Sequence, residues 1–171
     1  MNDGISVDAN VMHGFTKSYV HDEASQAREL VEKIESGLGF AIDMNGKIEQ
    51  QWLDTCGNRP GKPFFEWFYQ RLKEGKIRKL PAKLDQQHKK RLRIDCGFPR
   101  DRYEMTYIEV ANVTRRRYIV SEDMHFFEPQ LKDADESTKA AIKSSRQGRV
   151  SRYLTTLGIT VGTIALALEE L

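Results

Sequence analysis

The chain has 171 residues, of which 39% are hydrophobic and 30% are charged. Its 27 Lys and Arg residues nearly balance 25 Asp and Glu residues, so the formal net charge is +2. These values exclude a disordered chain and predict one globular domain over residues 1–171. Cys56 and Cys96 form no CxxC pair, which excludes a disulfide scaffold and favours reduced thiols. Because the longest apolar run, 157–168, is too short to span a bilayer, we expect a soluble, cytoplasmic protein with no membrane partner.

Four short apolar segments have the composition of buried strands: 5–8, 40–43, 118–121 and 158–161. Helices are predicted around them at about 10–19, at 22–36 with Asp22 as N-cap, after the Asn45-Gly46 turn, at 63–75, at about 102–113, within 129–152 and at the end of the chain. Buried strands that alternate with helices predict an α/β fold. We expect a doubly wound, mostly parallel sheet of four or five strands with helices on both faces.

The segment 63–75 is predicted to present an aromatic face. Phe64, Phe68 and Leu72 recur at helical spacing, and Phe65 and Tyr69 lie beside them. We expect this stripe to face the core. A groove for a partner helix, or part of a homodimer interface, is the alternative.

Acidic residues follow the predicted strands. Asp8 and Asp43 end the first two strands, Asp123 follows the third, and Glu104 begins the helix that leads into the third. Ligands of parallel α/β sheets bind at the carboxyl ends of the strands, so we expect these four acids to converge. Carboxylates this close repel one another unless cations are bound, and oxygen ligands suit Mg²⁺ or Mn²⁺. Two such ions roughly 3.5–4 Å apart can activate a water for phosphodiester cleavage, so the four acids are predicted to be metal ligands and catalytic residues.

Four segments together resemble motifs of the PIN-domain nuclease family: ISVDANVM (5–12), GFAIDMNGKIEQQW (39–52), EMTYIEVA (104–111) and IVSEDMHF (119–126). The resemblance spans most of the chain and implies a three-layer PIN-like fold with metal-dependent endonuclease activity. It also implies a nucleic-acid substrate, with RNA favoured over DNA, and a toxin–antitoxin or phage-defence role with an antitoxin or other regulatory partner.

The chain departs from the family pattern in two ways. Glu104 stands where the family usually has Asp, and Gln50 and Gln51 stand where relatives often carry Glu. The second acid is therefore Asp43 or Glu49, and Asp43 is preferred because it ends a strand. The polar neighbours expected to support the acids, or else to cap helices or face solvent, are Asn10, Ser121 and Glu122. His125 could also reach substrate or metal, although a solvent-facing side chain is favoured.

Basic residues are concentrated away from these acids. Residues 71–93 contain ten Lys and Arg residues against only Glu74 and Asp85, and a second basic cluster precedes the third strand. Such a local excess favours a phosphate backbone over a merely solvated helix face. The residues predicted to bind nucleic acid are Lys62, Lys89, Lys90, Arg91, Arg115, Arg116 and Arg117.

Two alternatives remain. The substitutions at Glu104, Gln50 and Gln51 are compatible with a catalytically weak PIN-like module that only binds nucleic acid or a protein. A phosphoacceptor or phosphatase domain on a similar sheet fits less well, because such a phosphatase needs an Asp at position 10, where this chain has Asn10.

Overall fold

The computed structural model describes residues 4–100 and 103–171. Within these ranges the strands are β1 (Ser6–Val7), β2 (Phe40–Asp43), β3 (Ile77–Leu80), β4 (Tyr118–Val120) and β5 (Thr160–Gly162). The α-helices there are α1 (Ala9–His21), α2 (Gln26–Lys33), α3 (Lys47–Cys56), α4 (Pro63–Lys73), α5 (Gln86–Ile94), α6 (Glu104–Val113), α7 (Glu136–Ser145), α8 (Arg149–Thr156) and α9 (Ile164–Glu170). The predicted α/β class is thereby confirmed.

The strands form two parallel sheets, one of three strands in the order β1-β4-β5 and one that pairs β2 with β3. An isolated parallel bridge between Ile5 and Phe40 joins them. There the Ile5 N–H donates to the Gly39 carbonyl (2.9 Å), and the Ala41 N–H donates to the Ile5 carbonyl (3.0 Å). All five strands therefore run in the same direction. We call the side where they end the carboxyl edge and the side where they begin the amino edge.

The register brings polar residues together at the carboxyl edge. Val7 of β1 is level with Val120 of β4, so Asp8 and Ser121, the next residues of each chain segment, are neighbours. The Asp8 N–H donates to the Val120 carbonyl (2.9 Å), which holds Asp8 at the sheet after the two-residue strand has ended. A short strand with a fixed register is enough to position both side chains.

Strands β1, β2 and β4 are buried along their whole length, and the core around them is rich in aromatic rings. Trp52 of α3 contacts Phe64 and Phe68 of α4, with ring centroids 6.5 and 6.2 Å apart. Phe64 and Phe68 are fully buried, which confirms that this stripe of α4 faces the core. Phe65 is half-buried and Tyr69 is exposed, so they lie at the margin of that stripe.

One strand and one α-helix of the structure were not predicted, namely β3 and α5. The β3 sequence, IRKL, buries only Ile77, and its two central residues are exposed basic side chains. An edge strand is held mainly by backbone hydrogen bonds to its one neighbour and can carry exposed polar side chains. The hydrophobic pattern of the sequence therefore does not predict it. Helix α5 buries only Leu92 and is capped by Asp85, whose side chain accepts from the Gln87 N–H (2.8 Å).

The start of the second helix differs from the prediction. Asp22 does not cap it, because Asp22 takes a left-handed conformation that ends α1. Ser25 caps α2 instead, and its hydroxyl accepts from the Arg28 N–H (3.0 Å). The predicted helix 22–36 is therefore α2 followed by a π-helical turn, Ile34–Leu38.

The other predicted helices are present. The polar stretch 129–152, predicted as one polar helix or a pair of helices, contains two α-helices, α7 and the start of α8. The helix predicted from about Arg102 is α6, although Arg102 itself lies outside the described residues. Over 4–100 and 103–171, no helix has the length and apolarity needed to cross a membrane.

Candidate metal centre

Asp8 and Ser121 form the buried side of the candidate site. Asp8 follows β1 and is only 5% exposed. The Ser121 hydroxyl donates to Asp8 Oδ2 (2.6 Å) and accepts from the Asp123 N–H (3.0 Å). Ser121 thus fixes the orientation of one acid and the backbone of the next.

The electrostatic environment of Asp8 is unfavourable to its charge. The pKa of Asp8 is raised to about 7, and burial is the largest cause. The negative charges of Asp123 and Glu104 contribute to the rise, and the Ser121 hydrogen bond opposes it. Three of the four predicted acids therefore act on one another, although they come from three segments of the chain.

Glu104, Asp123 and His125 form the open side of the site. His125 Nδ1 lies 3.1 Å from Glu104 Oε1 and 3.3 Å from Asp123 Oδ1. One donor atom from each of the three residues lies within 4.8 Å of the others. The Glu104 side chain is 12% exposed, whereas those of Asp123 and His125 are 32% and 27% exposed. This is a set of two carboxylates and one imidazole that could share a cation.

A solvent-facing His125 was favoured from the sequence, but the side chain lies beside Glu104 and Asp123. The local sequence explains this position. Asp123 caps the 3₁₀ turn Met124–Phe126, and its Oδ1 accepts from the His125 N–H (2.9 Å). Met124 and Phe126 on either side of the histidine are buried, which anchors the turn. The turn therefore directs the imidazole back over the carboxylate that caps it.

Asp43, the fourth predicted acid, has a different set of contacts. Its two carboxylate oxygens accept from the N–H groups of Lys47 (3.0 Å) and Ile48 (2.8 Å) in the first turn of α3. Glu49, the other candidate, pairs with Lys79 of β3 at 3.4 Å. The set of donor atoms within 4.8 Å of one another includes neither residue. Their assignment as ligands stays a prediction.

Tyr107 is a site neighbour that sequence reasoning missed. Its hydroxyl donates to Gln51 Oε1, and burial raises the pKa of Tyr107 well above its ordinary value, as does the charge of Asp8. Gln51 occupies a position where the PIN resemblance leads one to expect Glu. A neutral amide is suited to accept from a protonated phenol without adding another charge beside Asp8. The sequence signal for Tyr107 is its position three residues after Glu104, which places both side chains on one face of a helix.

The remaining predicted supporting residues are Glu122 and Asn10. Glu122 Oε1 accepts from the Ile164 N–H at the start of α9 (2.7 Å), and its Oε2 lies 3.4 Å from Lys143 Nζ. Asn10 is exposed in the first turn of α1. Glu122 therefore connects α9 with α7 rather than completing the set of acids.

The predicted nucleic-acid-binding residues have two different environments. Lys62, Lys90 and Arg91 are exposed, whereas Lys89 Nζ pairs with Glu109 Oε2 at 3.3 Å. Both side chains of that pair are only 17% exposed, so Lys89 connects α5 with α6.

The second basic cluster lies at the amino edge, because it immediately precedes β4. Arg115 and Arg116 are exposed. Arg117 donates to the carbonyl groups of Asn112 (2.6 Å) and Leu157 (2.7 Å) and is thus engaged in holding α6 and α8 together. This cluster and the acids are at opposite edges of the sheet.

No family model, curated protein or solved structure matches this chain. The resemblance to PIN-domain nucleases therefore stays a hypothesis, and its support must come from the geometry of the site.

Proposed function

We propose that this chain is a metal-dependent nuclease with a PIN-like fold. The observation that carries the proposal is the convergence of Asp8, Glu104, Asp123 and His125 at the carboxyl edge of β1 and β4. Ligands of parallel α/β sheets bind at that edge, beside the strands where the order changes direction.

The strand connections support a doubly wound arrangement. If the Ile5–Phe40 bridge is counted as pairing, the five strands follow the order β3-β2-β1-β4-β5. The chain moves outward from β1 in one direction through β2 and β3, then returns to continue through β4 and β5. The acids lie next to β1 and β4, where the direction of winding reverses.

The donor atoms fit a hard or borderline divalent cation. Carboxylate oxygens suit Mg²⁺ and Mn²⁺, and an imidazole nitrogen favours Mn²⁺ of the two. The unfavourable charge environment of Asp8 also points to a cation, because a nearby positive charge would relieve it. A bound divalent cation would supply activation of water and stabilisation of the leaving oxygen.

The residues of the chain then have distinct roles. Glu104, Asp123 and His125 would hold the cation from the open side, and Asp8 from the buried side. Ser121 orients Asp8 through its short hydrogen bond, and Tyr107 fixes the position of α6 through Gln51. RNA is the expected substrate on the resemblance alone, with DNA as the comparison.

The test is cleavage of end-labelled RNA and DNA with Mn²⁺, with Mg²⁺ and with a chelator. We expect cleavage that depends on metal and is lost in Asp8→Asn and Asp123→Asn. Asp54→Asn is the matched control, because Asp54 is exposed in the second half of α3, with its only side-chain hydrogen bond in the described chain to Asn58. Cleavage that survives both site variants would refute the assignment.

A binding module without cleavage is the second candidate. It is favoured by the two Asp43 oxygens, which already accept backbone N–H groups, and by the neutral Gln51 in place of an acid. Metal-independent nucleic-acid binding without any cleavage would select this function.

A further inference from the structure

Helix α5 and the segment that follows it form an open, basic groove. Its volume is about 450 Å³, and its lining residues are Gln86, Lys89, Lys90, Arg93, Ile94 and Arg100. Four of these six residues are basic and none is acidic. We call this surface the α5 groove.

The positive charge of the α5 groove is largely available to a ligand. Lys89 is paired with Glu109, but Lys90 and Arg100 are exposed and form no ion pair with the described residues. The Nε of Arg93 is buried without a hydrogen-bond partner in the described part of the chain. A phosphate oxygen is an acceptor that matches both the charge and the donors of this set.

A large apolar side chain lies among these cations. Ile94 is 63% exposed at the end of α5, and it lines the same groove. A duplex presents phosphates and sugars to a shallow groove, while its base faces are stacked inside. A single strand can present a base face beside its phosphates, so the combination of cations with Ile94 favours a single strand.

The chain and one ring contact connect the α5 groove with the candidate metal centre. Arg100 precedes Glu104 by four residues. Phe98, two residues before Arg100, packs its ring against Phe126, with centroids 5.7 Å apart, and Phe126 directly follows His125. These links connect the end of the groove to Glu104 and to His125, which both belong to the open side of the metal centre.

We infer that the α5 groove binds the backbone of a single-stranded nucleic acid and leads it to the metal centre. This inference rests on the proposed function for the identity of the ligand. It goes further in naming Lys90, Arg93 and Arg100 as the phosphate contacts, and in preferring single strands over duplexes.

The experiment measures binding in a chelator, so that cleavage plays no part. Fluorescence anisotropy is recorded with labelled RNA and DNA single strands of about 12 nucleotides, and with the duplex of the same sequence, over a range of KCl concentrations. We expect Lys90→Gln/Arg100→Gln to weaken single-strand binding about tenfold and to reduce the log–log salt slope by about 1.4.

Two further variants separate the parts of the inference. Lys17→Gln/Lys132→Gln removes the same charge from exposed residues that do not line the groove and should bind like the native chain. Ile94→Ser should weaken single-strand binding roughly threefold, which corresponds to about 25 Å² of lost apolar contact, and should leave duplex binding unchanged. A tighter affinity of the native chain for RNA or for DNA identifies the preferred strand, and equal affinities mean that the groove contacts only the features that both strands share.

Three results would overturn the inference: no binding by the native chain, duplex binding tighter than single-strand binding, or a groove variant with native affinity and slope. If the native chain still cleaves with metal, such a result leaves the proposed nuclease function intact. If binding depends on the groove but no metal-dependent cleavage occurs, the nuclease function fails and the groove assignment stands.

Discussion

The two edges of the sheet both carry clustered charged side chains, but these side chains have different surroundings. At the amino edge, Arg117 donates to four acceptors: the Asn112 carbonyl, Asn112 Oδ1, and the Leu157 and Gly158 carbonyls. At the carboxyl edge, Asp8 is surrounded by other acids, and its pKa is raised. A charged side chain whose donors are engaged by backbone and amide oxygens indicates a structural role, whereas like charges held together indicate a site for a ligand of opposite charge.

The largest expected effect comes from neutralising Asp8 in the absence of metal. Because its folded pKa, about 7, lies above the ordinary value of 3.8, the folded state binds this proton more tightly than the unfolded state. The carboxylate therefore costs stability, and the cost appears as the pH rises from about 4 to about 7. Asp8→Asn should stabilise the metal-free chain at pH 8 by up to about 4 kcal/mol, as measured by urea unfolding.

The same experiment has an internal control in pH. At low pH, where Asp8 is protonated in both states, the native chain and Asp8→Asn should have nearly the same free energy of unfolding. If Asp8→Asn is less stable than the native chain at pH 8, the folded state does not disfavour the ionised form of Asp8.

At the amino edge, removing a charged side chain is expected to lower the free energy of unfolding rather than raise it. Arg117→Ala removes donors to the carbonyl groups of Asn112, Leu157 and Gly158, and it leaves those acceptors to find water. We expect a loss of about 3 kcal/mol in the free energy of unfolding. The matched control is Arg116→Ala, an exposed neighbour, which should change stability by less than about 0.5 kcal/mol. Equal effects of the two substitutions would remove the distinction between the edges.

Metal binding at the carboxyl edge should stabilise the folded chain. At a free Mn²⁺ concentration of about 100 times Kd, the gain is about 2.7 kcal/mol, because the ion binds only the folded state. Asp123→Asn should abolish most of the resulting increase in Tm, whereas Asp54→Asn should keep it. An increase that survives in Asp123→Asn would place the ion elsewhere.

The sequence predicts best those parts of the molecule that depend on burial. All four predicted strands are present, because runs such as 40–43 are apolar on both faces. It fails at β3, since backbone pairing with β2 holds an exposed basic segment there. Hydrophobic patterning carries no record of hydrogen bonds between distant backbone segments.

Prediction of the site has a similar limit. Asp8 and Asp123 are predicted to be neighbours because both follow strands of a parallel sheet, and such strands end at the same edge. Positions after strands do not reveal that His125 turns back, because this depends on the turn that Asp123 caps. Nor do they distinguish Asp43, whose oxygens are engaged by α3, from an acid whose oxygens face the site.

The smallest expected effect concerns the length of the Glu104 side chain. Glu104 starts α6, and its carboxylate reaches His125 Nδ1 at 3.1 Å. Aspartate at this position would withdraw the carboxylate by about 1.5 Å, whereas metal–ligand distances tolerate only about 0.2 Å. Buried contacts of Tyr107 hold α6 in place, so the helix is not free to move forward and compensate. Glu104→Asp should therefore weaken Mn²⁺ binding about tenfold, nearly as much as Glu104→Gln, as measured by calorimetry at constant pH. Tighter binding in Glu104→Asp would show that the native site is a distorted one, and native affinity in both variants would exclude Glu104 from the site.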